Sequence, residues 1–181
     1  MTTAFDDFLA ANERFAAANS AERLPVAPAR RVAVLACMDA RIDLYRVLGL
    51  STGDAHIIRN AGGRASDDAI RSLVISSALL GTREVVVIHH TDCGMQTFTN
   101  EELRSRLAAE TGVNASAVDF LPFDDLEQSV RDDVRLIARS VLLDDGIVVT
   151  GCIYEVETGR LRAVSGAVCG RDEIAGASEV P

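Results

Sequence analysis

The chain has 181 residues, 48% of them hydrophobic, which is enough for one domain with a substantial core. Eighteen basic residues, all arginine, stand against 27 acidic ones. The resulting net charge of −9 argues against nucleic acid and anionic membranes as partners, since both reward clustered basic residues. No run of about 20 apolar residues could span a bilayer.

The first segment, MTTAFDDFLAANERF, has no basic start followed by an apolar stretch, so an intracellular, cytoplasmic location is the expectation. In that reducing setting Cys37, Cys93, Cys152 and Cys169 are expected as thiols or metal ligands rather than disulfides. Phe5, Phe8, Leu9, Asn12 and Phe15 have the spacing of an amphipathic helix over 4–18, and the two prolines within 20–30 make an extended linker. This arm, residues 1–30, packs either on its own domain or on a partner subunit. The main domain, 31–165, then alternates. RVAVLA at 31–36 is a buried strand, 41–48 a short helix ended by Gly49, and AHIIR at 55–59 a second strand. Asp67 and Asp68 open a helix with Ile70, Leu73 and Val74 on one face, ended by Gly81. EVVVIH at 84–89 is a continuous apolar run, the pattern of a strand covered on both faces.

A helix over 100–110 stops at Gly112, and Leu126, Val130, Val134, Ile137 and Val141 mark another that ends before Asp145-Gly146. IVVTGCIYEV at 147–156 is a strand, and Thr158-Gly159 turns it into LRAV at 161–164. Residues 166–181 read as a flexible tail containing Cys169. The order implies an α/β fold: a mostly parallel central sheet flanked by helices, with an antiparallel edge strand and an N-terminal helical arm.

Two segments follow directly on apolar strands: Cys37-Met38-Asp39-Ala40-Arg41 and His90-Thr91-Asp92-Cys93-Gly94. Ligand sites of open α/β sheets form beyond the carboxyl ends of strands, so neighbouring strands would bring Cys37, His90 and Cys93 together. Two thiolates and an imidazole suit zinc and leave a fourth position open for water. Asp39 could fill that position in a closed state; a bidentate pair with Arg41 would instead hold it off the metal and ionised. His89, next in the strand to His90, points to the opposite face and is expected to pack, as is His56. Asp92 is expected to face solvent or accept a hydrogen bond near the ligands, and Cys152 to sit in the core. Gly62 and Gly63 lack the rest of any phosphate loop. Arg59 and Asn60 are expected to tie loops together at a subunit interface.

The paired motif CMDAR and HTDCG, with RNAGG at 59–63, DDAIRSL at 67–73 and the VVVIHHTDCGM block, resembles the β-class carbonic anhydrases, in particular their compact bacterial and archaeal branch. The resemblance covers about residues 30–160. It implies one zinc ion per chain on Cys37, His90 and Cys93, with Asp39 and Arg41 as the catalytic dyad. The implied reaction is the reversible hydration of carbon dioxide to bicarbonate and a proton, through water acidified by zinc. Relatives in this branch hydrolyse carbonyl sulfide or carbon disulfide, so a hydrolase using the same site stays open. A non-catalytic zinc sensor or structural protein, with Asp39 permanently on the metal, is the third reading. An active site would show Asp39 on zinc at low pH and on Arg41 at higher pH. The resemblance also implies a homodimer or homotetramer, with the arm packed on a neighbour.

Overall fold

A computed structural model describes residues 3–19 and 23–169. Strands β1 (Val32–Cys37), β2 (Ala55–Asn60), β3 (Glu84–His90), β4 (Val148–Glu155) and β5 (Arg160–Cys169) form one sheet in the order β2-β1-β3-β4-β5. The first four run parallel and β5 is an antiparallel edge. The fold is thus the α/β class expected, with its helices on both faces of the sheet.

Alternation along each strand decides which helix covers which side chain. Ala33, Leu35, Val85, Val87 and Val149 pack under α3 (Asp67–Ala78) and α5 (Leu126–Ala138), against Leu73, Val130, Val134 and Ile137. Val34, Ala36, Ile88, Cys152 and Tyr154 form the opposite layer with Ile42, Leu44 of α2 (Leu44–Leu48), Met95 and Phe123. α5 seats closely on β4 because Gly151 has no side chain: a Cβ there would lie 2.5 Å from Cγ1 of Val130 and 2.9 Å from Cγ2 of Val134. α4 (Asn100–Thr111) buries nothing and rests on a capping box between Thr99 and Glu102.

α1 (Ala4–Ala18) starts with a capping box between Thr3 and Asp6 and buries none of its residues. Phe5, Phe8 and Phe15 are each about two-thirds exposed. The helix therefore does not pack into the core of its own domain.

Several boundaries differ from those expected. α5 ends at Ala138, short of Val141. The chain turns there, with the Ser140 amide on the Ile137 carbonyl and the Leu143 amide on the Ser140 carbonyl, so Leu143 enters the core in place of Val141. α2 begins at Leu44 rather than 41, because Asp39 and Arg41 are engaged with each other and Asp43 caps the helix. β5 continues through residues 166–169, so Cys169 lies on the sheet edge, its sulfur 3.9 Å from the Gly146 carbonyl oxygen. The rest of the expected tail, 170–181, lies outside the described residues. Two 3-10 turns, Ala61–Gly63 and Gly94–Gln96, were not foreseen, and both border the centre described next.

Candidate metal centre

β1 and β3 are direct neighbours, with Ala36 paired to Ile88, so their last residues emerge side by side. Cys37 is the final residue of β1 and His90 of β3, and Cys93 follows just before the Gly94–Gln96 turn. All three are buried, and their ligand atoms lie within 4.8 Å of one another. Tetrahedral zinc with sulfur and nitrogen ligands holds its donors roughly 3.5–4 Å apart, so the spacing suits one ion.

The donor chemistry fits as well. Nδ1 of His90 donates to the Thr91 carbonyl oxygen at 2.9 Å, which leaves Nε2 for another partner. Nε2 has no hydrogen bond; among the described residues it is the one buried side-chain nitrogen or oxygen without a partner. Buried polar atoms are rarely left so, and a cation beside two sulfurs would satisfy it. The thiols also behave as a ligand pair. The Cys37 thiol is held down to about 4, first by the hydrogen bond from Cys93, with His90 and the backbone amides of Asp39 and Gly62 adding to it against burial. Cys93 is pushed up by the same contact and by burial. Contact between the two sulfurs thus favours a thiolate at Cys37.

Asp39 and Arg41 form the bidentate pair that their spacing suggested. Nη2 of Arg41 donates to Oδ2 of Asp39 at 2.7 Å, and its Nε to Oδ1 and Oδ2 at 3.0 and 3.2 Å. The Arg41 amide adds a bond to Oδ1 at 2.8 Å. These bonds hold the Asp39 carboxyl well below the usual carboxylate range, so it is ionised and only accepts. Its Oδ2 lies 3.8 Å from Nε2 of His90, at the edge of the three-ligand cluster. The small cavity there, about 220 Å³, is lined by the three candidate ligands with Met38, Asp39, Ala61, Gly62, Gly94 and Met95. A larger cavity of about 630 Å³, between α3 and α5, is lined by apolar residues such as Ile70, Val74 and Leu136 and contains none of the candidate ligands.

His89 packs as expected, against Ser129 and Asp133 on α5, and His56 bonds to Ser76. Asp92 does both of the things expected of it, facing solvent and accepting hydrogen bonds beside the ligands. Its carboxylate is exposed yet pairs with Nη1 of Arg41 at 2.6 Å, and its carbonyl oxygen accepts from Nη2 at 2.9 Å. Arg41 thus sits between two carboxylates, and Asp92 adopts a left-handed backbone (φ 56°) to present both oxygens. Its place between the two candidate ligands was the signal for an acceptor there, and its partner, Arg41, is what the structure adds. Arg59 ties loops within the chain: it donates to the carbonyl oxygens of Cys37 at 2.9 Å and Asp39 at 2.6 Å. Asn60 likewise bonds to Arg64 and Ser66 of its own chain.

A buried pair of sulfurs and an imidazole at the carboxyl ends of adjacent parallel strands defines an α/β protein with a pocket whose side chains could hold a metal ion. The carbonic anhydrase family model matches residues 32–161. β-Carbonic anhydrase 1 of Mycobacterium tuberculosis is 42% identical over 165 residues, covering 90% of this chain and 99% of that protein. The crystal structure of the carbonic anhydrase of Streptococcus mutans superposes with a TM-score of 0.88 at 50% identity, covering 91% of this chain and 99% of the other. A carbon disulfide hydrolase of an Acidianus species is 36% identical over 157 residues, 74% of this chain and 76% of that protein. The chain belongs to the β-carbonic anhydrase family and is an enzyme of that family.

Proposed function

We propose that this enzyme catalyses the reversible hydration of carbon dioxide to bicarbonate and a proton, using one zinc ion per chain held by Cys37, His90 and Cys93. The observation that carries this reading is the partnerless, buried Nε2 of His90, set among two sulfurs beside a carboxylate that Arg41 holds ionised. Zinc, when bound, supplies Lewis acidity that makes water a nucleophile near neutral pH.

The chain's own residues then do three things. Oδ2 of Asp39 accepts the hydrogen of the attacking water and fixes its direction. Arg41, braced by Asp92, keeps that carboxylate turned toward itself and available as an acceptor. Ala61, Gly62 and Met95 give the pocket an apolar wall suited to a small, uncharged, linear gas.

Hydrolysis of carbon disulfide or carbonyl sulfide is the second reading, supported by the carbon disulfide hydrolases among the relatives. Hydration is preferred because the β-carbonic anhydrase relative matches over nearly its whole length at higher identity. The engagement of Asp39 by Arg41 supports catalysis over a closed, non-catalytic zinc site. Metal analysis should give about one zinc per chain, in keeping with a tight preformed site. Rates on carbon dioxide and carbon disulfide from the same zinc-loaded sample then decide the substrate. Turnover of the sulfur gas with negligible hydration would sink the preferred assignment.

We also infer a homodimer or a homotetramer built from it. A 15-residue helix alone in water is marginal, and α1 exposes an apolar stripe of Phe5, Phe8 and Phe15. A second copy covering that stripe would stabilise it. Sedimentation of the chain with and without residues 1–19 tests this; a monomer at full length would refute it. No helix among the described residues is long and apolar enough to cross a membrane. The buried thiols of Cys37, Cys93 and Cys152 suit a cytoplasmic, reducing compartment.

A further inference from the structure

Arg64 and Asp133 form an ion pair in the interior, with side chains 13% and 4% exposed. Nε of Arg64 donates to Oδ2 of Asp133 at 2.7 Å and Nη2 to Oδ1 at 3.3 Å. Nη1 donates to the Leu121 carbonyl oxygen at 2.9 Å, and the guanidinium lies over the Phe123 ring, 5.4 Å from its centroid. Asn60 fixes the Arg64 backbone from both sides, accepting from its amide at 2.8 Å and donating to its carbonyl oxygen at 2.7 Å.

Asp133 has a third partner, Nε2 of His89, at 3.1 Å. A carboxylate only accepts, so that nitrogen carries the hydrogen, while Nδ1 lies 2.8 Å from the Ser129 hydroxyl oxygen, which also reaches the Leu126 carbonyl oxygen at 2.9 Å. The His89 ring stacks on Phe123 with centroids 5.4 Å apart.

An interior ion pair is a weak device for stability alone, because desolvation offsets most of the attraction. What it adds is geometry, and this one joins three segments that border the metal centre. The Ala61–Gly63 turn, which supplies Ala61 and Gly62 to the pocket wall, ends where Arg64 begins. The Leu121–Phe123 segment reaches Met95, another wall residue, through the Phe123 amide and the Met95 carbonyl oxygen at 3.2 Å. The end of β3 carries His89 and then His90.

We propose that Arg64 and Asp133 are positioning residues of the metal centre. Asp133 couples the pocket wall, through Arg64, to the strand end that aims His90, through His89. One carboxylate thereby sets both the shape of the pocket and the direction of the imidazole. Neither residue touches the reacting atoms. The proposal rests on the metal-binding reading above but not on which gas is turned over.

The test uses Asp133→Asn, Arg64→Lys and, as a control on the same helix, Asp132→Asn, whose carboxylate is exposed and paired with Arg135. Each is compared with the unmodified chain by the visible spectrum of the cobalt-substituted protein, zinc affinity against a chelator, and kcat and KM for carbon dioxide. Asp133→Asn should keep one metal per chain, shift the cobalt bands, and lose about 10–100-fold in zinc affinity or kcat. Arg64→Lys keeps the charge but loses the fork. It should raise KM severalfold with the cobalt bands in place, because it frees the wall and not His90. Asp132→Asn should change nothing.

If both variants keep the spectrum, affinity, kcat and KM within about twofold while melting at lower temperature, the pair is merely structural and the proposal fails. If Asp133→Asn does not fold, Arg64→Lys decides alone, and an unchanged KM overturns the idea. A wild-type chain that binds cobalt but turns over neither gas overturns the functional reading instead, and the variants' spectra and zinc affinities still decide the positioning role.

Discussion

Gly63 is where a single methyl group should damage both fold and metal centre. A Cβ at this position would lie 2.9 Å from the Ala36 carbonyl carbon and the Cys37 amide nitrogen, and 3.0 Å from the Ile88 carbonyl oxygen. Its backbone is left-handed, with φ at +70°. An L side chain in that conformation costs about 1–2 kcal/mol. The contacts are with backbone, which cannot rotate aside as a side chain can, and overpacking of this kind costs about 1–3 kcal/mol more. The sum is about 3 kcal/mol, and at about 2–4 °C per kcal/mol for a chain of this size, Gly63→Ala should melt about 6–12 °C below the wild type. The displaced atoms are the amide of one candidate ligand and a carbonyl two residues before another. Zinc retention on dialysis against a chelator should therefore fall as well. Gly94→Ala is the control: it lines the same pocket, but nothing lies within 4 Å of its added methyl, so its melting point should barely move. Calorimetry of the three proteins decides. A Gly63→Ala protein melting within about 2 °C of wild type with full zinc, or a Gly94→Ala protein equally damaged, would refute the reasoning.

Substituting either Cys37 or Cys93 by Ser should reduce bound zinc from about one per chain to a trace, measured by elemental analysis of dialysed protein. A full complement of metal in either variant would remove that residue from the ligand set. Asp39→Ala should keep its zinc and lose about 10–100-fold in hydration rate, read by stopped-flow pH change; full activity would refute the role given to Oδ2. Zinc affinity should rise with pH. Contact between the sulfurs lowers the Cys37 thiol and, with burial, pushes the Cys93 thiol up, so Cys93 holds its proton. Burial opposes a charged His90, but the Cys37 thiolate outweighs it and raises the affinity of that ring for a proton. Metal must displace these protons, and fewer protons in solution favour the exchange, by up to about tenfold per pH unit for each proton released. Competition titrations at pH 6 and 8 measure it, and equal affinities would contradict proton release from Cys93 and His90 on metal binding. Because Asp39 is already ionised, hydration should likewise climb with pH through the acidity of the attacking water and not through titration of Asp39.

Much of this protein was legible locally. The uninterrupted apolar runs of β1 and β3 announced strands covered on both faces, and the ligand-type residues sat at their ends. Strand alternation alone separated His89 from His90, sending one to α5 and the other to the candidate metal centre. The dyad of Asp39 and Arg41 was equally readable, because two residues of chain already bring the groups within reach. The helix over 4–18 could be read from its spacing, but its lack of a partner in its own domain could not.

What the sequence determined by itself is therefore what neighbours along the chain decide: the period of each segment, its caps, and the chemistry carried at its ends. Only the tertiary structure decided that β1 lies beside β3, which is the step that turns two separate motifs into one centre. It alone placed Asp92 against Arg41, Arg59 on the carbonyls of Cys37 and Asp39, and Arg64 on Asp133, 69 residues away. Those contacts depend on strand order and on how helices cover the two faces of the sheet. Polar side chains have no period that would reveal a distant partner, so charge and residue type at 64 and 133 gave no warning of the pair they make.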